Sequence, residues 1–121
     1  MPVTRLRFPK SARLSRAGEF AKIKAGGRSC HGKFMVLSVL RLQPTEETRI
    51  GFVTSRRVGG AVVRNRVRRR LREIVRAARP RLAGGLWLVL IARHQAARAD
   101  FAALRAEWEL LGTRSAIFAC P

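Results

Sequence analysis

The segment of this sequence best equipped for chemistry is a run of cations. Arg56-Arg57-Val58-Gly59-Gly60-Ala61-Val62-Val63-Arg64-Asn65-Arg66-Val67-Arg68-Arg69-Arg70-Leu71-Arg72-Glu73 sets eight arginines against one carboxylate. A guanidinium is a permanently charged planar fork of N–H donors that matches the oxygens of a phosphate. On a helix turning about 100° per residue, Val63, Val67, Leu71, Ile74, Val75 and Ala78 fall on one narrow stripe. Asn65, Arg68, Arg69, Arg72 and Arg76 lie opposite it, Arg64 and Arg70 flank the stripe, and Arg66 takes the third side. The spacing predicts a helix over 61–78 that anchors on protein through its stripe and offers the other face to a polyanion. A solvated helix would mix lysine, glutamate and arginine, and a membrane-surface helix needs a wider apolar arc. Gly59-Gly60 lets the backbone turn sharply into the helix and leaves its first N–H groups open to an anion. Asn65 can donate and accept on one amide, which suits a sugar or a base edge.

Nothing comparable points to catalysis by the chain itself. Strand cleavage by side chains needs an acid and a base converging on one phosphate. The two histidines, His31 and His94, are far apart in sequence without neighbouring carboxylates. They read as surface or phosphate-contacting residues. Cys30 and Cys120 lack CxxC spacing and read as free thiols, so neither a disulfide framework nor a zinc site is expected.

The composition agrees. A chain of 121 residues, 47% hydrophobic, has one domain's worth of core, yet its formal charge is +19, with 26 Lys and Arg against 7 acids. A net charge this large requires a polyanionic partner to neutralise it, and nucleic acid is the first candidate. The charge lies in two blocks: residues 1–33 carry +8 and residues 56–81 carry +10, around a neutral middle. The longest apolar run, 86–92, is far short of the roughly 20 residues that span a bilayer. The N-terminus carries no apolar signal-peptide stretch, so no membrane association and a cytoplasmic location are expected.

The elements that must position the arginines follow from pattern. Residues 1–14 read as a basic extended arm, and Ser15 as the N-cap of a short helix carrying Phe20 and Ile23, stopped at Gly26-Gly27. Residues 33–42 and 49–55 read as strands, hairpin-paired across the turn at 44–48. Residues 86–92 read as a buried strand. Asp100 is expected to cap a last helix with Phe101, Leu104, Trp108 and Leu111 on one face and Gly112 as its stop. Helices and strands alternate around one core: an α/β domain over 15–112, with a short tail at 113–121.

The motif at 56–73, a basic pair, a glycine turn, Ala-Val, Arg-Asn-Arg and a basic amphipathic helix, resembles the signature of the bacterial ribonuclease P protein subunit. The resemblance extends to Leu14 and Phe20, to Arg49-Ile50-Gly51 and to Ile91-Ala92-Arg93, covering roughly residues 13–111. It implies a single-domain α/β sandwich: a mixed sheet of about four strands, three helices and a left-handed βαβ crossover around the arginine helix. It also implies an endoribonuclease subunit whose catalytic site is on RNA. The protein would bind ribonuclease P RNA as a monomer, one per RNA, and help remove the 5′ leader of precursor tRNA with Mg²⁺ held mainly by the RNA. Carried onto this chain, Arg56, Arg57, Arg64, Asn65, Arg66, Arg68, Arg69, Arg72 and Arg76 would contact RNA. Phe20, Phe34, Leu37 and Arg93 would line a leader cleft between the first helix and the sheet. Lys24, Leu37 and Trp87 depart from the family pattern, and with no Tyr in the chain charge should outweigh stacking on the leader. The alternative is a structural RNA-binding protein of ribosomal type, against which the Ala-Val and Arg-Asn-Arg run argues.

Overall fold

The computed structural model describes residues 17–119; the arm at 1–14, Ser15 and Cys120 lie outside the described residues. It contains helices α1 (Ala17–Gly26), α2 (Ala61–Ala78) and α3 (Phe101–Arg114) and strands β1 (Arg28–His31), β2 (Met35–Arg41), β3 (Arg49–Val53) and β4 (Leu86–Ala92). The strands form one mixed sheet in the order β1-β2-β4-β3, with β4 antiparallel to β2 and parallel to β3. The chain is the expected α/β sandwich, with α2 as the crossover between two parallel strands.

Strand parity assigns the two layers, because successive side chains point to opposite faces. Leu86, Leu88, Leu90 and Ala92 of β4, with Met35, Leu37 and Val39 of β2, join Val67, Leu71, Ile74, Val75 and Ala78 of α2 and Leu104, Trp108 and Leu111 of α3 in the main core. The intervening Val89 packs with Ile23 of α1, and Leu40, Val53, Trp87 and Ile91 close around them on the opposite face. A strand apolar on both sides, as 86–92 is, belongs in a sheet's interior.

That requirement overturns the expected hairpin. β4 inserts between β2 and β3, so the two never pair. Placing β4 centrally gives both its edges a partner, which a β2–β3 hairpin would have left unmade. The 43–48 loop wraps the entry of β4 instead: Leu42 N–H donates to the Gly85 carbonyl at 2.7 Å and Gly85 N–H to that of Glu46 at 2.9 Å. Gly85 has φ +71, and a Cβ there would lie 2.3 Å from the Gln43 carbonyl oxygen, so only glycine fits.

Gly112 is the second correction. It does not stop α3, which runs on to Arg114. It is buried, and a Cβ there would lie 2.7 Å from the ring of Phe118. The glycine serves close packing, with Phe118 edge-on to Trp108 (centroids 6.0 Å apart, planes at 85°). The described residues that follow Gly112 pack onto the domain: Ile117 is fully buried, and Ala83 N–H donates to its carbonyl. The helix ends where Ala116 takes a left-handed φ of 54°, and Arg41 donates to the freed carbonyls of Ser115 and Ala116 at 2.6 and 3.0 Å.

β1 has no strong sequence signal and forms as an edge strand paired to β2. The turn between them is held from outside. The N–H groups of Lys33, Phe34 and Met35 donate to the Glu107 carboxylate at 2.7, 2.7 and 2.9 Å. Glu107→Ala should therefore cost about 2–3 kcal/mol, read as a lower urea midpoint at unchanged m-value. Leu71, 1% exposed, anchors the stripe of α2; Leu71→Ala should cost about 2–5 kcal/mol in the same measurement.

Candidate nucleic-acid interface

α2 spans the residues the spacing predicted and buries the stripe expected of it, Val67, Leu71, Ile74, Val75 and Ala78. Its first turn stands out from the body: Val62 is 81% exposed and Val63 is only half-buried. The helix enters from a turn held by Val58, 5% exposed, whose N–H donates to the Ser55 carbonyl. Gly59 has φ +153, and a Cβ would lie 2.9 Å from Val63 Cγ1. No side chain caps the helix at Gly60, so its positive end is available to an anion beside exposed Arg56 and Arg57.

The arginines of α2 divide into two groups. Asn65, Arg69 and Arg72 are exposed on one face, with Arg64 and Arg68 half-exposed beside them. Arg66 and Arg70 turn instead toward the 3₁₀ turn His94–Arg98 and its exit, donating to the carbonyls of Ala97 at 3.1 Å and Ala99 at 2.9 Å. These bonds keep the positive charge, because a carbonyl is a neutral acceptor. Arg68 donates to Thr54 Oγ1 at 2.6 Å, tying the outward face to the end of β3. Arg76 pairs with Glu73, so its charge is locally compensated. Of the predicted set, Asn65, Arg69 and Arg72 share the exposed face of α2, while Arg66, Arg68 and Arg76 are partly engaged by the protein itself.

The acids are disposed to leave that face positive. Glu19 pairs with Arg49, Glu47 with Arg79 at 3.8 Å and Glu109 with Arg81 at 2.5 Å. Asp100 caps α3 through Ala103 N–H at 2.8 Å, and Glu107 serves the β1–β2 turn. Among the described residues no group of three His, Cys, Asp or Glu could hold a metal ion. No helix there is long and apolar enough to cross a membrane.

The expected cleft set separates. Phe20 lies on α1, and its side chain is outside what the structure describes. Leu37 is fully buried in the main core, on the side of the sheet away from α1, because it shares parity with Met35 and Val39. It cannot line a cleft against α1. Phe34 also packs on the main-core side. Arg93 is exposed and donates to the Gly32 carbonyl at 2.9 Å. The residues that face α1 were missed. Val36, Ile91 and Val53 are directly paired across β2, β4 and β3 and form a half-exposed apolar row. Trp87 continues that face with Lys22 and Arg49 over its ring at 5.8 and 5.7 Å. Period-two alternation in 86–92 was the available signal; without the pairing it could not say which parity faced α1.

A family model described as Ribonuclease P matches residues 8–115. The ribonuclease P protein component of Symbiobacterium thermophilum is 42% identical over 108 residues, covering 89% of this chain and 94% of that protein. That of Gluconacetobacter diazotrophicus is 43% identical over 96 residues, 78% and 83% of the two chains. Among solved structures, the Staphylococcus aureus RNase P protein superposes with a TM-score of 0.83 at 22% identity, over 91% of this chain and all of that one. The Thermotoga maritima RNase P protein gives 0.73 at 28% identity, over 84% and 96%.

Because Asn65 and Arg69 project from the protein while Arg68 holds Thr54, their substitutions should differ. Asn65→Ala and Arg69→Ala should change stability by no more than about 0.5 kcal/mol. Arg68→Ala should cost about 1 kcal/mol, since the buried Thr54 hydroxyl loses a charged donor. Thermal melts of the three variants check this.

Proposed function

Since this chain belongs to the ribonuclease P protein family, we propose that its arginine helix docks on ribonuclease P RNA while the α1 face of its sheet guides the 5′ leader of precursor tRNA. It is the protein subunit of an endoribonuclease whose catalytic site lies on RNA. The observation that carries the docking reading is the exposed face of Asn65, Arg69 and Arg72 on a helix whose opposite stripe is sealed into the core. Contacts of this kind read backbone and shape rather than base sequence. Arg56, Arg57, Arg64 and Arg68 extend the surface, and Arg66 and Arg76 add charge at its margins.

The leader reading rests on a different face. A single strand laid across Val36, Ile91 and Val53 would meet apolar surface for its bases, with Trp87 farther along the same face. Arg93, which follows β4 directly at the end where that row stands, and Arg57 in the turn beyond β3 would take its phosphates. Phe20 belongs to the helix that bounds this face. Leu37 has no part in it, and Phe34 lies on the other side of the sheet.

The magnesium used in the reaction falls to the RNA on this reading, because six of the protein's carboxylates already accept from protein donors. The protein's contribution is to neutralise phosphates and align substrate, as one copy per RNA, in the cytoplasm.

Affinity for ribonuclease P RNA should fall steeply with salt, with a log–log slope corresponding to roughly five to ten phosphates. The Arg69→Ala/Arg72→Ala double variant should lower that slope by about 2 while remaining folded. Filter binding across a salt series measures both. A slope near zero, or specific precursor cleavage by the protein freed of RNA, would refute the assignment.

A further inference from the structure

The displacement of Phe34 from the α1 face leaves a half-exposed aromatic ring beside the turn that joins β1 to β2. It borders a pocket of about 430 Å³ lined by Lys33, Phe34, Gln95, Arg98, Ala99, Asp100 and Ala103. That volume lies within the roughly 300–1,000 Å³ typical of small-ligand sites. The pocket is on the α3 side of the sheet, separate from the row of Val36, Ile91 and Val53.

Both walls are fixed by bonds already described. Glu107 holds the Lys33–Met35 backbone through three N–H groups. Arg66 and Arg70 of α2 hold the opposite wall through the carbonyls of Ala97 and Ala99. A site whose walls are ordered beforehand loses little entropy on binding. The same two arginines tie this wall to α2.

The lining is a set of groups suited to one chemical class. Phe34 offers a ring for stacking. Lys33, whose Nζ is 5.5 Å from that ring's centroid, and exposed Arg98 offer cations for a phosphate. The Gln95 amide and the Asp100 oxygen not used on Ala103 N–H offer a donor and acceptors for a base edge. An inorganic anion would use only the cations, and an apolar ligand would leave the polar groups unpaired. We propose that this pocket binds one unpaired nucleotide of an RNA strand, its base on Phe34 and its phosphate between Lys33 and Arg98. The proposal rests on the reading of the chain as an RNA-binding protein and adds a site that neither the helix face nor the leader face contains.

The test is a titration of the ¹⁵N-labelled full chain with adenosine 5′-monophosphate, and in parallel with inorganic phosphate, followed by amide chemical shifts. The nucleotide should move the amides of Phe34, Gln95, Ala99 and Ala103, whereas phosphate alone should move only those of Lys33 and Arg98. Phe34→Ala should weaken nucleotide binding about fivefold or more, Phe34→Trp should retain it, and exposed Gln95→Ala and Arg98→Ala should each weaken it. Since Phe34 contacts the core, the last two variants carry the test if Phe34→Ala fails to fold. Identical shift patterns for nucleotide and phosphate, shifts centred on Val36, Val53 and Ile91, or unchanged binding in Gln95→Ala and Arg98→Ala would each overturn the proposal. Arg69→Ala separates this outcome from the docking assignment: it should weaken binding to ribonuclease P RNA and leave the nucleotide-induced shifts as in the parent chain.

Discussion

The structure depends on keeping one side of a heavily arginine-bearing helix in a dry core. α2 carries seven arginines and one glutamate over 18 residues, so repulsion along the helix opposes its formation. What opposes the repulsion is burial of Val67, Leu71, Ile74, Val75 and Ala78 against β4, β3 and α3. Because the stabilising contacts are apolar and on one side, they leave the charge on the other side intact. The arginines next to the seam are anchored without loss of charge: Arg66 and Arg70 each donate to a neutral backbone carbonyl, which leaves the field uncancelled.

The few carboxylates reinforce this separation. Glu19, Glu47 and Glu109 pair with arginines outside α2, Asp100 caps α3, and Glu107 orders a turn. Of these acids, Glu73 alone belongs to α2, and it pairs near the helix's C-terminal end. Acidic groups spread at random would have compensated the cationic face and weakened its pull on a polyanion. As arranged, they stabilise the scaffold where RNA is not expected to lie. The exposed side chains of Asn65, Arg69 and Arg72 thus stand apart from the buried stripe, whereas Arg66, Arg68 and Arg76 also hold the protein itself, Arg68 through Thr54.

Several features were legible from residue order because they are local. The bounds of α2 and β4, the Asp100 cap and the apolar stripe depend on periodicity and capping chemistry within a few turns. The misreadings all involve partners distant in the chain. The turn at 44–48 looks like a hairpin turn, yet β4, which begins only at Leu86, outcompetes β3 for the edge of β2. Gly112 looks like a helix stop, yet it makes room for Phe118. The resemblance puts Leu37 in the leader cleft, yet parity turns it into the core.

Residue order by itself therefore determined that this is a cationic α/β protein with one helix divided lengthwise into an oily side and an arginine side, because charge and periodicity are properties of the chain. Tertiary structure decided which strand faces met which helices, which arginines turned back to hold backbone, and where Phe34 came to rest. Those outcomes follow from strand order and pairing register, in which a shift of one residue exchanges the two faces.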